Sequence, residues 1–114
     1  MSILATLAAC ASTPSPQAAD ALQKVRDEYA ASRFGDVVRT VATSDALSTA
    51  PKPMRVEALK LQAFSYCVTG YRQLCEDAFA QILTLQPSFE LAPNETGHPQ
   101  WGPAFQSAAT AQTR

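Results

Sequence analysis

Cys67, Cys75 and His98 carry the side chains best suited to hold a metal or to act as nucleophile and base. A zinc site needs four ligands, or three and an open position, with cysteine pairs two to four residues apart. Cys67 and Cys75 stand eight positions apart, and no fourth ligand accompanies them. A cysteine nucleophile with His98 as its base would need a third group to orient the imidazole, and none is indicated. His98 is the only histidine and lies between Gly97 and Pro99, where a hydrogen-bonding role is the simpler reading. There is no Gly-x-Ser-x-Gly turn and no glycine loop that would cradle a phosphate. Glu76, Asp77, Glu90 and Glu95 read as solvated charges. The chain is therefore expected not to be an enzyme, with no cofactor, no metal and no small-molecule substrate.

Cys10 suggests a different chemistry. The apolar and small residues at the start of the chain end in Leu7-Ala8-Ala9-Cys10, which resembles the lipobox of bacterial lipoproteins. The resemblance implies that Cys10 is lipidated and becomes the new N-terminus. Residues 1–9 would then be part of a signal peptide and residues 10–19 a lipid-anchored tether. The run "ASTPSPQAA" suits a tether, because Ser, Pro and Ala there build no core. Ala11 stands where an Asp would retain such a protein in the inner membrane, so the resemblance favours the outer membrane, on its periplasmic face. The other reading is a plain N-terminal tail. With Cys10 set aside, Cys67 and Cys75 form an even pair. They sit symmetrically about Tyr71, across a helical turn, and an oxidising compartment would allow a disulfide. The alternative is two buried thiols acting as small apolar residues.

Composition narrows the class. The 114 residues suit one small domain. Nine basic and ten acidic residues nearly balance, with no basic stripe, so nucleic acid is not an expected partner. No apolar run reaches the roughly 18 residues of a membrane-spanning helix. Alanine is abundant and glycine scarce, which favours helix.

The elements follow from apolar spacing. Asp20 and Gln23 form a capping-box pattern, so a first helix is expected from there, with Leu22, Val25 and Tyr29 on one face. A break falls at 32–35. Phe34, Val37, Val38, Val41 and Ala42 then make a second helical stripe. The run "SDALSTAPKP" reads as a linker. Pro53 suits the first turn of a helix reaching Val68. Leu59, Ala63, Tyr66 and Cys67 lie on one face of it and Leu61, Phe64 and Val68 on another, which predicts burial between neighbours. Gly70 ends this helix. The next is expected over 71–85, with a stripe of Leu74, Cys75, Ala78, Phe79, Ile82 and Leu83, and Pro87 stops it.

The predicted fold class is all-α, a helical-repeat domain over 20–114: two tetratricopeptide-like helical hairpins, a proline- and aromatic-rich strap from about 87 and a short terminal helix from Pro103. Setting Ser32 against Gly70 gives a period of 38 residues; a tetratricopeptide repeat has about 34. Ala63, Tyr66, Gly70, Cys75, Phe79, Ile82 and Pro87 stand where that repeat wants its small, aromatic, turn and final proline residues. The first unit keeps Tyr29, Phe34, Val37 and Val41. A generic pair of helical hairpins fits the same pattern. In the strap, Phe89, Leu91, His98, Trp101 and Phe105 have two readings: they cover the open end of the helical stack, or they form a partner-binding edge.

The lipobox, "EALKLQAFSYCV" at 57–68, Cys75, Phe79, "ILTLQPSFEL" at 82–91 and "GHPQWGPAF" at 97–105 occur in this order. Together they resemble the TssQ-like lipoproteins associated with bacterial type VI secretion systems. The resemblance implies an accessory envelope lipoprotein that acts as a protein–protein adaptor or assembly factor, with secretion-apparatus proteins as partners and the membrane reached through the lipid. The alternative is a structural helical-repeat lipoprotein of the envelope, serving cell-wall or pilus biogenesis.

Overall fold

The computed structural model describes residues 14–113; the signal segment, Cys10 and residues 11–13 of the expected tether lie outside them. The described residues form six helices and no strand: α1 Pro16–Ala30, α2 Phe34–Thr43, α3 Asp45–Ser48, α4 Lys52–Val68, α5 Arg72–Leu85 and α6 Trp101–Gln112.

Helix α1 begins five residues earlier than Asp20 as its N-cap predicts. Ser15 is the N-cap, its Oγ accepting from the Ala18 amide at 3.0 Å, and Pro16 follows at the first helical position. A serine cap with proline behind it is the stronger signal, since proline's fixed φ suits that site and no amide is lost. Gln23 bonds Asp27 one turn on and caps nothing. Residues 16–19, expected in the tether, are thus helical, and Ala18 is buried.

The turns after α1 and α4 have the same hydrogen bonding. After α1, the Arg33 amide reaches the Glu28 carbonyl at 2.8 Å and Ser32 reaches Tyr29 at 2.9 Å. After α4, Tyr71 reaches Tyr66 at 2.8 Å and Gly70 reaches Cys67 at 3.2 Å. Both are Schellman closures, with Ser32 and Gly70 in the left-handed position at φ 58° and 91°. Each closure turns the chain back at once into α2 or α5.

The segment expected to be a linker contains α3. Ser44 caps it through Oγ to the Leu47 amide at 3.1 Å, and Leu47 is buried. Leu22, Val25, Val37, Leu47 and Ala58 form one core cluster. A second is built around Phe64, Phe79, Ile82, Leu91, Ala104 and Phe105. Tyr29 and Leu61 pack against both. Helix α4 touches all five other helices, in agreement with its two apolar faces.

Candidate functional site

Cys67 and Cys75 are joined in a disulfide, with Cα atoms 5.2 Å apart. Both are buried at the α4–α5 hairpin. Bonded to each other, the sulfurs offer no thiolate to a metal or a substrate, and among the described residues no group of three His, Cys, Asp or Glu gathers to hold an ion. The Cys67 sulfur lies 3.7 Å from the Gln100 carbonyl oxygen, a packing contact because it carries no proton.

The five residues named from the C-terminal segment are drawn into internal contacts. Leu91 and Phe105 are buried, while Phe89, His98 and Trp101 are partly exposed. Phe105 meets Phe79 and Phe89 edge to face at 5.3 and 5.7 Å. Trp101 lies between two rings, stacked on Phe64 at 3.8 Å and on His98 at 3.5 Å. Its indole N–H donates to the Glu95 carbonyl at 3.0 Å. His98 Nδ1 accepts from the amides of Gln100 and Trp101 at the start of α6, at 3.1 and 3.4 Å. That bonding opens α6 at Trp101, two residues before the expected Pro103. Lys60 of α4 fixes the turn from outside, pairing with the Glu95 carboxylate at 3.0 Å. Glu95 is therefore not a free solvated charge. Burial raises the Tyr29 hydroxyl above its ordinary pKa, and the Glu95 charge adds to the shift.

A different surface is left open. Helices α2 and α5 both pack on α4, and a groove of about 460 Å³ runs between them with α4 as its floor. Val41 of α2 and Leu47 of α3 form one wall, Leu59 and Gln62 the floor, and Leu74 and Asp77 of α5 the other wall. Toward the α4 C-terminus it continues into a more apolar hollow, also about 460 Å³, lined by Phe34, Val38, Tyr66, Tyr71 and Leu74. Among the described residues, Tyr71 and Leu74 are the large apolar side chains most open to solvent, 58% and 43% exposed. The Gln62 amide braces the floor by donating to the Val38 carbonyl at 3.2 Å.

The sequence placed Leu74 on the buried stripe of α5, and the structure corrects this. The rest of that stripe is buried and Leu74 is not. On α2 only Val37 is buried out of five stripe residues. Among the described residues, helix α2 packs mainly on α1 and α4, and that number of neighbours was not readable from its apolar spacing. No family model matches the chain, and no curated protein or solved structure matches it.

Proposed function

We propose that this chain is an accessory envelope lipoprotein of a type VI secretion system and serves it as a non-enzymatic protein–protein adaptor. The groove between α2 and α5 carries the reading, because an open apolar channel on a small helical domain is a seat for another chain. Two tetratricopeptide-like hairpins, α1–α2 and α4–α5, build it. Their kinship is supported by the matching Schellman turns at Ser32 and Gly70, placed at the 38-residue period. The segment from about 87 acts as a strap that lays Leu91 and Trp101 over the α4–α5 hairpin. The Cys67–Cys75 disulfide supports an oxidising compartment such as the periplasm. The assignment to secretion rests on the ordered motif resemblance.

Two experiments test the reading. Affinity capture of the protein from cross-linked envelopes should recover secretion-apparatus components; their absence in both active and inactive states would sink the assignment. Labelling with a palmitate analogue should depend on Cys10 in a gene carrying a complete signal. Equal labelling of Cys10→Ser would remove the anchor.

A further inference from the structure

The groove distributes its charge unevenly along its length. Arg55 lines the end next to α3, and among the described residues it has no ion pair. The first turn of α4 beside it contains no acid and has no side-chain cap, and Lys52 is its first residue, so nothing in that turn offsets the Arg55 charge. Asp77, on the α5 wall, is the one acid in the lining; it accepts only from Gln73, at 2.9 Å. The disulfide sets the register of the two helices by placing Cys75 opposite Cys67. In an antiparallel hairpin Asp77 is then level with position 65 of α4. Arg55 lies ten residues earlier, about 15 Å along the α4 axis at 1.5 Å per residue. Beyond Asp77 the lining becomes apolar, ending in Leu74 and Tyr71.

We infer that the groove binds an amphipathic helix of another protein, bearing an acidic and a basic side chain on one face about three turns apart and a large apolar residue one turn beyond the base. The acid meets Arg55, the base meets Asp77, and the apolar residue enters the Leu74–Tyr71 hollow. A helix suits the seat better than an extended strand. All three sides are helices, whose backbone groups are already paired, so a strand would find no ladder partners, while a helix satisfies its own. Ridges at i and i+4 on the incoming helix would fit the channel between α2 and α5. This inference rests on the adaptor reading and specifies the chemistry of its partner.

The test uses designed helical peptides of about 16 residues, with Leu at the hollow-facing position, titrated by fluorescence anisotropy. One carries Glu and Lys at i and i+11; a second carries Lys at both positions. Wild-type protein should bind the Glu/Lys peptide about tenfold more tightly than the Lys/Lys peptide. Arg55→Glu should invert the order, because both groove charges are then negative. Leu74→Glu should abolish binding of both. Arg55 and Leu74 are not buried, so helicity by circular dichroism should hold in each variant. Should Arg55→Glu unfold, the Arg55→Gln protein serves instead and should lose the preference. Equal affinities, an order indifferent to residue 55, or no binding of either peptide overturns the inference. A dimer in sedimentation that Leu74→Glu dissolves also overturns it, since a second copy would then fill the groove. Envelope capture separates this from the broader reading. If Arg55→Glu and Leu74→Glu proteins still recover secretion components, the groove inference fails and the adaptor stands. If the peptides discriminate and no component is recovered, the secretion assignment fails alone.

Discussion

Ser32 and Gly70 occupy the same place in the two turns, with different chemistry. A side chain at positive φ costs about 1 kcal/mol or more, because Cβ crowds the following carbonyl. Glycine avoids this, and the space a Cβ would fill at Gly70 is open, so any cost there is purely one of backbone conformation. Ser32→Gly should therefore stabilise the protein by about 0.5–1 kcal/mol and Gly70→Ala should destabilise it by about 1 kcal/mol. Urea unfolding checks both, and equal shifts in the same direction would contradict the shared turn geometry. Glu28 is a second case. It is 4% exposed, and Oε2 accepts from the Thr40 hydroxyl at 3.2 Å, while Oε1 has no partner. A buried polar atom without a bond costs about 1–3 kcal/mol. Glu28→Gln with its amide oxygen toward Thr40 keeps that bond but leaves the amide N–H2 in the unpartnered position, whereas Glu28→Met removes both polar atoms. Glu28→Met should match or exceed Glu28→Gln in stability, by up to about 1 kcal/mol, read as the urea midpoint. Nothing in the apolar spacing of α1 marked Glu28 as buried, since it lies beside the Leu22–Val25–Tyr29 stripe and only α2 closes over it.

Between elements, polar locks supplement apolar packing. Arg26 of α1 grips the Glu57 carboxylate of α4 through two nitrogens, at 2.6 and 2.8 Å. The Arg26 bond is the main reason the Glu57 pKa falls below its ordinary value, opposed by desolvation. A lowered folded pKa means that the stabilisation is present above the unfolded value and lost as pH falls through the folded one. Both side chains are over a third exposed, so solvent screening limits the pair to about 0.2–1 kcal/mol. Wild type should exceed Glu57→Gln by that margin in urea unfolding near pH 7, and the two should converge below about pH 4. A gap that persists in acid would assign the effect to packing. The start of α6 is held by contact of another kind. A Cβ on Gly102 would come within 2.6 Å of the Thr96 carbonyl oxygen. Gly102→Ala should force the 92–98 turn away from the helix and lower stability by about 1–3 kcal/mol in the same assay. The sequence marked this region as rich in turns, but the close approach comes from residues six positions apart folding onto each other.

Taken whole, the molecule consists of two core clusters joined through α4. One lies between α1, α2, α3 and α4, the other between α4, α5, α6 and the segment carrying Leu91. The disulfide sits in the second. Its short loop constrains the unfolded chain by roughly 2–3 kcal/mol in the chain-entropy account. Cys67→Ala with Cys75→Ala should lower stability by about that amount. Because α4 is shared, loss of the bridge should lower a single unfolding transition and not split it in two. Two separated transitions, followed by tryptophan fluorescence from Trp101 and by far-ultraviolet circular dichroism, would show that the clusters unfold independently.

Local physics in the sequence determined the all-helical class, the stripe of α2, the bounds of α4 and α5 to within a residue, and the burial of α4 on two faces. It also placed the turns at Ser32 and Gly70 and brought Cys67 opposite Cys75. Each depends on residues within a few turns of one another, through periodicity, caps and turn conformation. The start of α1 was equally local, written in Ser15-Pro16. Only the tertiary structure decided that Leu74 and most of the α2 stripe stay uncovered, that Trp101 lies between Phe64 and His98, and that Glu95 is held by Lys60. Periodicity tells which residues share a face. It does not count the neighbours available to cover that face, and that count leaves the groove between α2 and α5 open.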